Sequence, residues 1–266
     1  MEVKDLLSQY YEQYDEDGRL VNRRSGQIEF ATTIRYIRKY LHPGDRVLDI
    51  GAGTGRYSRT LAADGYDVTA VELVEHNLNI LKSNIKENMR IRVFQGNALD
   101  LSALADASFD MTLMMGPMYH LFTQADKIQA LSEAVRVTKP GGILLVAYCI
   151  SDASIIEYGF RGGHIWELVD EGLLNTETFV ARSEPKELFE LVRKSDIDRL
   201  IARFPVERLH YAAADGLSYF MRRDLEEMDQ ETFDLFLNYH LTICENPELV
   251  GATAHSLDVL QKREEG

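Results

Sequence analysis

The chain has 266 residues, 45% hydrophobic and 27% charged, enough for one large α/β domain or two small ones and ordinary for a globular protein. Asp and Glu total 43 against 29 Lys and Arg, a formal charge of −14. That demotes nucleic acid and anionic membrane surfaces as main partners, because phosphate binding needs a basic face, although a local basic patch can hide in an acidic total. The cysteines are Cys149 and Cys244; neither belongs to a Cys/His cluster with zinc spacing, and no metal site is expected. Met1-Glu2-Val3-Lys4-Asp5 lacks the pattern of a signal peptide, and no apolar run approaches the length of a bilayer span, so a cytoplasmic chain is expected.

Residues 3–15 predict a short helix in which Tyr10 and Tyr14 share a face, either as a packing stripe or as a lid over a ligand. Asp15-Glu16-Asp17-Gly18 should break it. Ser25 is placed to cap a second helix reaching Leu41, with Phe30, Ile34, Ile37 and Leu41 at helical spacing. Arg23 and Arg24 precede it, either solvated or facing a ligand carboxylate.

Strands and helices then alternate. Strands are predicted over 47–50, 67–72, 91–94, 109–115 and 143–147, with helices over 54–63, 75–85 and 125–137 and a tight turn at Lys139-Pro140-Gly141-Gly142. Continuous apolar strands separated by helices describe a parallel sheet covered on both faces. Beyond Tyr148 the pattern loosens: a helix from Pro185 to Phe204, a strand over 206–212, a helix over 225–244 and a last strand over 252–260. Two insertions, near 151–183 and 216–248, exceed ordinary loop lengths and are expected to cover the site, which places the substrate there.

The densest chemical signal is Val47-Leu48-Asp49-Ile50-Gly51-Ala52-Gly53-Thr54-Gly55, an apolar strand stopping at three glycines two residues apart. Glycines let the backbone turn sharply and leave no side chains between the loop amides and a ligand. The dinucleotide fingerprint G-x-G-x-x-G is the rival, but here the third glycine comes one residue early. Glu72, seventeen positions after Gly55, ends the second strand, where an acid can accept both hydroxyls of a ribose. Asn97 and the Ala98 amide, after the third strand, can read an adenine edge or simply form a turn. Asp49 lies within an apolar strand, where a carboxylate is costly without a partner; a ligand ammonium or the loop amides would serve.

These segments, with Val137-Thr138-Lys139-Pro140-Gly141-Gly142, resemble the successive motifs of class I S-adenosylmethionine-dependent methyltransferases over about residues 45–149. The resemblance implies a three-layer Rossmann-like fold with a seven-stranded, mostly parallel sheet and an antiparallel last strand. It implies one domain over 1–266: helices forming a lid over 1–44, a cofactor half over 45–149, and a substrate half over 150–266.

By position, the resemblance sets Gly51, Gly53 and Gly55 against the methionine part of the cofactor, Glu72 on the ribose, and Asn97 with Ala98 on the adenine. Asp49, Ala52, Arg56, Tyr57 and Leu73 complete that surface. Met115 and Gly116 would flank the methyl group, with Tyr14, Tyr119, His120 and His164 on the acceptor. His120 is the candidate base, since it is the side chain in that loop that titrates near neutrality.

Met115-Gly116-Pro117-Met118-Tyr119-His120 is not the Asn/Asp-Pro-Pro-Tyr of nucleic-acid amino methylases, so a small organic acceptor is expected. A non-catalytic binder of the cofactor, an RNA methyltransferase and a nicotinamide oxidoreductase are the alternatives. Oligomeric state stays open, a homodimer included.

Overall fold

The computed structural model describes residues 3–264, so the reading of Met1 and Glu2, and the outer limits of a domain drawn over 1–266, lie outside it. Helix α1 (Val3–Tyr11) buries Leu7. The stretch expected to break the chain forms one helical turn, α2 (Glu16–Arg19), because the Asp15 carboxylate caps it by accepting from the Gly18 N–H at 2.9 Å. Helix α3 (Arg24–Tyr40) takes Ser25 into its first turn, so Ser25 is not its cap. Arg24 anchors that end, donating to the carbonyls of Leu225 and Met228 at 2.7 and 2.5 Å and lying over the Phe233 ring.

The next elements are β1 (Arg46–Ile50), α4 (Arg56–Ala63), β2 (Asp67–Glu72), α5 (Glu75–Ser83), β3 (Ile91–Gln95), β4 (Phe109–Met114) and α6 (Gln124–Val137). Each ends within two residues of its expected bounds. Strand β5 (Thr138–Ile150) is longer than expected. The segment 139–142 is a bulge at its start: Phe109 pairs with Thr138 but Met111 already pairs with Ile143, and Gly141 sits at φ +76°.

After β5 come α7 (Ser151–Ser154), a π-helical stretch over Ile155–Arg161, α8 (Ile165–Asp170), the two-residue β6 (Leu191–Val192), α9 (Lys194–Ile201) and β7 (Val206–Ala213). The single helix expected from Pro185 to Phe204 is absent. Leu188 at φ +68° stops the first turn, and Arg193 with Asp196 forms a capping box that starts α9 afresh. The expected 225–244 helix is likewise two, α10 (Arg222–Glu227) and α11 (Gln230–Ile243), divided where Asp229 accepts from the Thr232 N–H at 2.7 Å. The last strand, β8, runs His255–Lys262.

The sheet order is β3-β2-β1-β4-β5-β8-β7, with β6 added beside the end of β5. All pairs are parallel except those of β8, which runs antiparallel between β5 and β7. This is the expected mixed sheet, with one short strand more than expected. Alternate strand residues feed opposite faces: Val47, Leu113 and Leu145 join Ile37 and Leu61 on one side, while Leu48, Met114 and Leu144 join Leu131 and Val135 on the other. The result is three layers, with the carboxyl ends of β1, β2 and β4 opening beneath α1 and α2. Among the described residues no helix is long and apolar enough to cross a membrane.

Candidate active site

A cavity of about 330 Å³ lies at those strand ends, roofed by α1 and α2. Gly51 and Gly53 line it, at φ +70° and +56°. Gly51 also needs to be bare, since a Cβ there would lie 2.8 Å from Pro117. Four of the five loop amides find partners within the protein. Gly51 and Ala52 N–H donate to the Val71 carbonyl at 2.8 and 3.1 Å, Gly55 N–H to the Ala52 carbonyl, and Gly53 N–H to Glu72 Oε2 at 2.8 Å. The loop supplies room more than donors.

Gly55 is a second correction. It does not line the cavity; at φ +81° it makes space for Leu81, whose Cδ1 a Cβ would approach to 2.1 Å.

Two buried carboxylates face this space. Glu72 accepts from Gly53 N–H and, through Oε1, from Val74 N–H at 2.8 Å; burial pushes its pKa up to about 6 against those two hydrogen bonds. Asp49 accepts the Ser58 hydroxyl at 2.6 Å through Oδ2, while its Oδ1 is buried with no hydrogen-bond partner. Burial lifts its pKa to about 6 as well. Asp49 makes no bond to the loop amides. Asn77 on α5, which the sequence reading missed, is buried in the same wall with Oδ1 also unpartnered. The available signal was an amide on the apolar face of a predicted helix.

Arg56, Tyr57, Leu73, Asn97 and Ala98 all reach the cavity. The Tyr57 ring stacks on Phe30, centroids 5.4 Å apart. Arg56 donates to the Asp17 carbonyl at 2.6 Å and so ties the roof to α4. Asn97 gives its carboxamide oxygen to Leu99 N–H at 3.0 Å, leaving its NH2 group to offer.

Met115, Gly116, Tyr119 and His120 form the far wall. Both His120 nitrogens are engaged. Nδ1–H donates to the Leu188 carbonyl at 2.8 Å, which fixes the tautomer, and Nε2 accepts the Tyr11 hydroxyl at 3.0 Å. Burial lowers its pKa to about 4, so it is neutral at neutral pH and weakly basic.

A second chamber of about 580 Å³ adjoins this one and shares Tyr11, Glu16, Arg19 and Tyr119 with it. Tyr14 belongs here, stacked on Tyr10 at 5.1 Å, and not to the cofactor cavity. Glu16 stands at the junction. One oxygen accepts from Arg19 Nε at 3.2 Å, and burial raises its pKa. Behind it, Arg19 donates to both oxygens of Glu29 at 3.0 and 2.8 Å, and His255 Nδ1 lies 2.7 Å from Asp215. Burial opposes the charge on His255, but the Glu29 and Asp215 carboxylates outweigh it and hold its pKa well above the usual value. Ligand atoms of Glu29, Asp215 and His255 lie within 4.8 Å of one another. Asp215 Oδ1 already accepts from Thr253, Ala254 and His255, so the group forms a self-neutralising charge cluster.

His164 is a third correction. It lines none of these spaces; it stacks on Tyr158 at 4.3 Å and pairs with exposed Glu167. Of the insertion near 216–248, α10 and α11 pack against α3 through Leu225, Phe233 and Ile28, and only Tyr219 and Arg222 line the second chamber.

Residues 47–142 match the family model described as a methyltransferase domain. The demethylmenaquinone methyltransferase of Renibacterium salmoninarum is 42% identical over 106 residues, 40% of this chain and 41% of that one. Over residues 47–142, just over a third of its length, the chain is thus similar to S-adenosylmethionine-dependent methyltransferases. The glycine/sarcosine N-methyltransferase of Aphanothece halophytica is 28% identical over 64% of this chain and 67% of its own. The chain spans about two fifths of the length of the first relative.

Among solved structures, a methyltransferase of Methanosarcina mazei superposes with TM-score 0.57 at 20% identity, covering 86% of this chain and 98% of that one. The phosphoethanolamine N-methyltransferase 1 of Haemonchus contortus gives 0.62 at 17%, over 99% of this chain and 48% of its own. At these identities the superpositions establish the fold.

S-adenosylmethionine is the cofactor of this methyltransferase family, and the residues present fit it. Asp49 Oδ1 is a buried acceptor without a partner where an ammonium is to be met, and Glu72 retains lone pairs for ribose hydroxyls beside a loop cleared of side chains.

Proposed function

We propose that this methyltransferase moves the cofactor's methyl group to a small organic acceptor held in the second chamber. One observation carries the reading: the two cavities share the walls Tyr11, Glu16, Arg19 and Tyr119, so occupants of the two meet there. When bound, the cofactor supplies a methyl carbon already activated by the sulfonium. The protein's work is then alignment, exclusion of water, and handling the acceptor's proton.

In this reading Glu16 takes that proton. It is the half-buried carboxylate at the junction, and its raised pKa brings it nearer the range in which a base is effective. Arg19 fixes its rotamer from behind. His120 serves Tyr11: with Nδ1 held by Leu188, its lone pair anchors the phenol over the cavity. Tyr119 holds the loop after β4 by donating to the Met115 carbonyl.

The charge of −14 favours a small molecule over RNA, and both cysteines are free and buried, as suits a reducing cytoplasm. The test is to incubate the chain with methyl-labelled cofactor and either a small-molecule extract or total RNA. Label in a small molecule is expected. Label confined to RNA, or cofactor binding with no transfer to either pool, would sink the proposal.

A further inference from the structure

A third cavity, of about 350 Å³, lies behind the acceptor chamber and has no part in the transfer chemistry. It shares Phe189, Tyr219 and His255 with that chamber, so the two are adjacent and divided by these side chains. The lining changes character on passing those residues. The acceptor chamber presents Glu16, Arg19, Glu29 and Asp215; the inner cavity, with Arg182 and Glu187 also in its wall, is lined mainly by apolar side chains that include Ile155, Leu168, Leu173, Leu174 and Leu191. Most of these come from the 151–183 insertion. Of the ten large apolar side chains left exposed among the described residues, six (Ile156, Tyr158, Phe160, Trp166, Phe179 and Val180) also lie on that insertion. Tyr158, 50% exposed, is at once a wall of the cavity and one of these exposed side chains.

The geometry points to an amphiphilic acceptor, whose polar reacting end sits at Glu16 and whose hydrocarbon tail runs past Phe189 and Tyr219 into the leucine-lined cavity. A wholly polar acceptor would leave that apolar space unfilled. A wholly apolar one would strip water from the charged groups of the acceptor chamber, a desolvation cost with no new contact in return. An acceptor divided into head and tail satisfies both chambers. It also accounts for the exposed apolar side chains on the insertion that walls the tail site, since exposed apolar patches mark binding surfaces. The head assignment rests on the methyl-transfer reading; the tail site stands on its own lining.

The experiment uses the full chain saturated with S-adenosylhomocysteine and titrates hexanol, octanol and decanol calorimetrically. Affinity should rise about fourfold for each added methylene while the chain enters the cavity. Ala181→Trp, at the half-buried edge of the cavity, should abolish the dependence on chain length, and Ser154→Phe serves as a second filled variant should the first fold poorly. Both should keep the parent's affinity for S-adenosylhomocysteine. A flat response to chain length in the parent, or an undiminished response in the filled variants, overturns the tail site. Loss of S-adenosylhomocysteine binding by the parent would instead strike the methyl-transfer reading, so the two failures are told apart.

Discussion

The cofactor cavity and the acceptor chamber touch at four side chains, yet they are built differently. The first is made from strand ends: Asp49, the 51–55 loop and Glu72 come from one β-α-β unit, and their positions follow from chain geometry. The second is assembled from side chains brought together over long sequence distances, with Glu16 and Glu29 from the first helices, Phe189 from a loop before β6, Asp215 from beyond β7 and His255 from β8. A pocket made by backbone turns tolerates little change of shape; one made by side chains can be altered a residue at a time. Substitutions in the first should therefore affect cofactor affinity, and those in the second should affect turnover.

The largest effect that would sharpen this contrast is expected from Glu72→Ala. Two charge-assisted hydrogen bonds to a ribose, at about 2 kcal/mol each, correspond to roughly a thousandfold loss of S-adenosylhomocysteine affinity by calorimetry. The variant also frees the N–H groups of Gly53 and Val74, so the loop loses its brace. Circular dichroism should show the sheet intact. Unchanged affinity would remove Glu72 from the site.

On the acceptor side, Glu16→Gln should lower turnover by about a hundredfold, the usual scale for a lost general base, with S-adenosylhomocysteine affinity within about twofold. The sign in pH follows from its raised pKa: activity of the parent falls as pH drops through that value and the carboxylate protonates. The variant should lack this acid limb. His120→Ala with an intact acid limb would agree, because burial lowers the His120 pKa while it raises that of Glu16. An acid limb that follows His120 and ignores Glu16 would reverse the two assignments.

The same contrast explains what was legible in the sequence. Strand ends repeat at fixed spacing, so the apolar runs, glycines and Glu72 announced the parallel sheet and the cofactor wall. Glu16 gave no such signal: it stands in Asp15-Glu16-Asp17-Gly18, where composition reads as a solvated break, and only packing under α1 buries it. His164 was misplaced for the converse reason, a titratable side chain in a glycine-rich insertion that folds outward. Gly55 was legible as a glycine but not in its role. Gly55→Ala should cost about 2 kcal/mol through positive φ and the collision with Leu81, lowering Tm by roughly 5 °C while cofactor affinity is kept. Gly53→Ala meets only Glu16, Cγ at 3.6 Å and Oε1 at 3.8 Å, and should cost less stability. A lower Tm for Gly53→Ala than for Gly55→Ala would contradict this division.

The smallest of these effects is a pH dependence that separates binding from stability. Asp49 and Glu72 have pKa values raised to about 6 by burial, whereas the cofactor's ammonium stays protonated below neutrality. Binding the ammonium favours ionised Asp49, so below pH 6 a proton must leave before the pair forms. Affinity for S-adenosylhomocysteine should then fall about tenfold between about pH 7 and 5 through this one carboxylate, and Asp49→Asn should flatten the fall. The unliganded chain carries the opposite sign. A raised carboxyl pKa contributes stability that is full below the unfolded value near 4 and is lost as pH rises through about 6. His120, lowered to about 4, works against it, since its share is full above about 6.5 and lost as pH falls towards 4. Because these terms oppose one another in the bare protein, the decisive measurement is the rise in Tm caused by the ligand. That rise should shrink on acidification even where the unliganded Tm barely moves; an equal rise at both pH values would mean that neither carboxylate meets the cofactor.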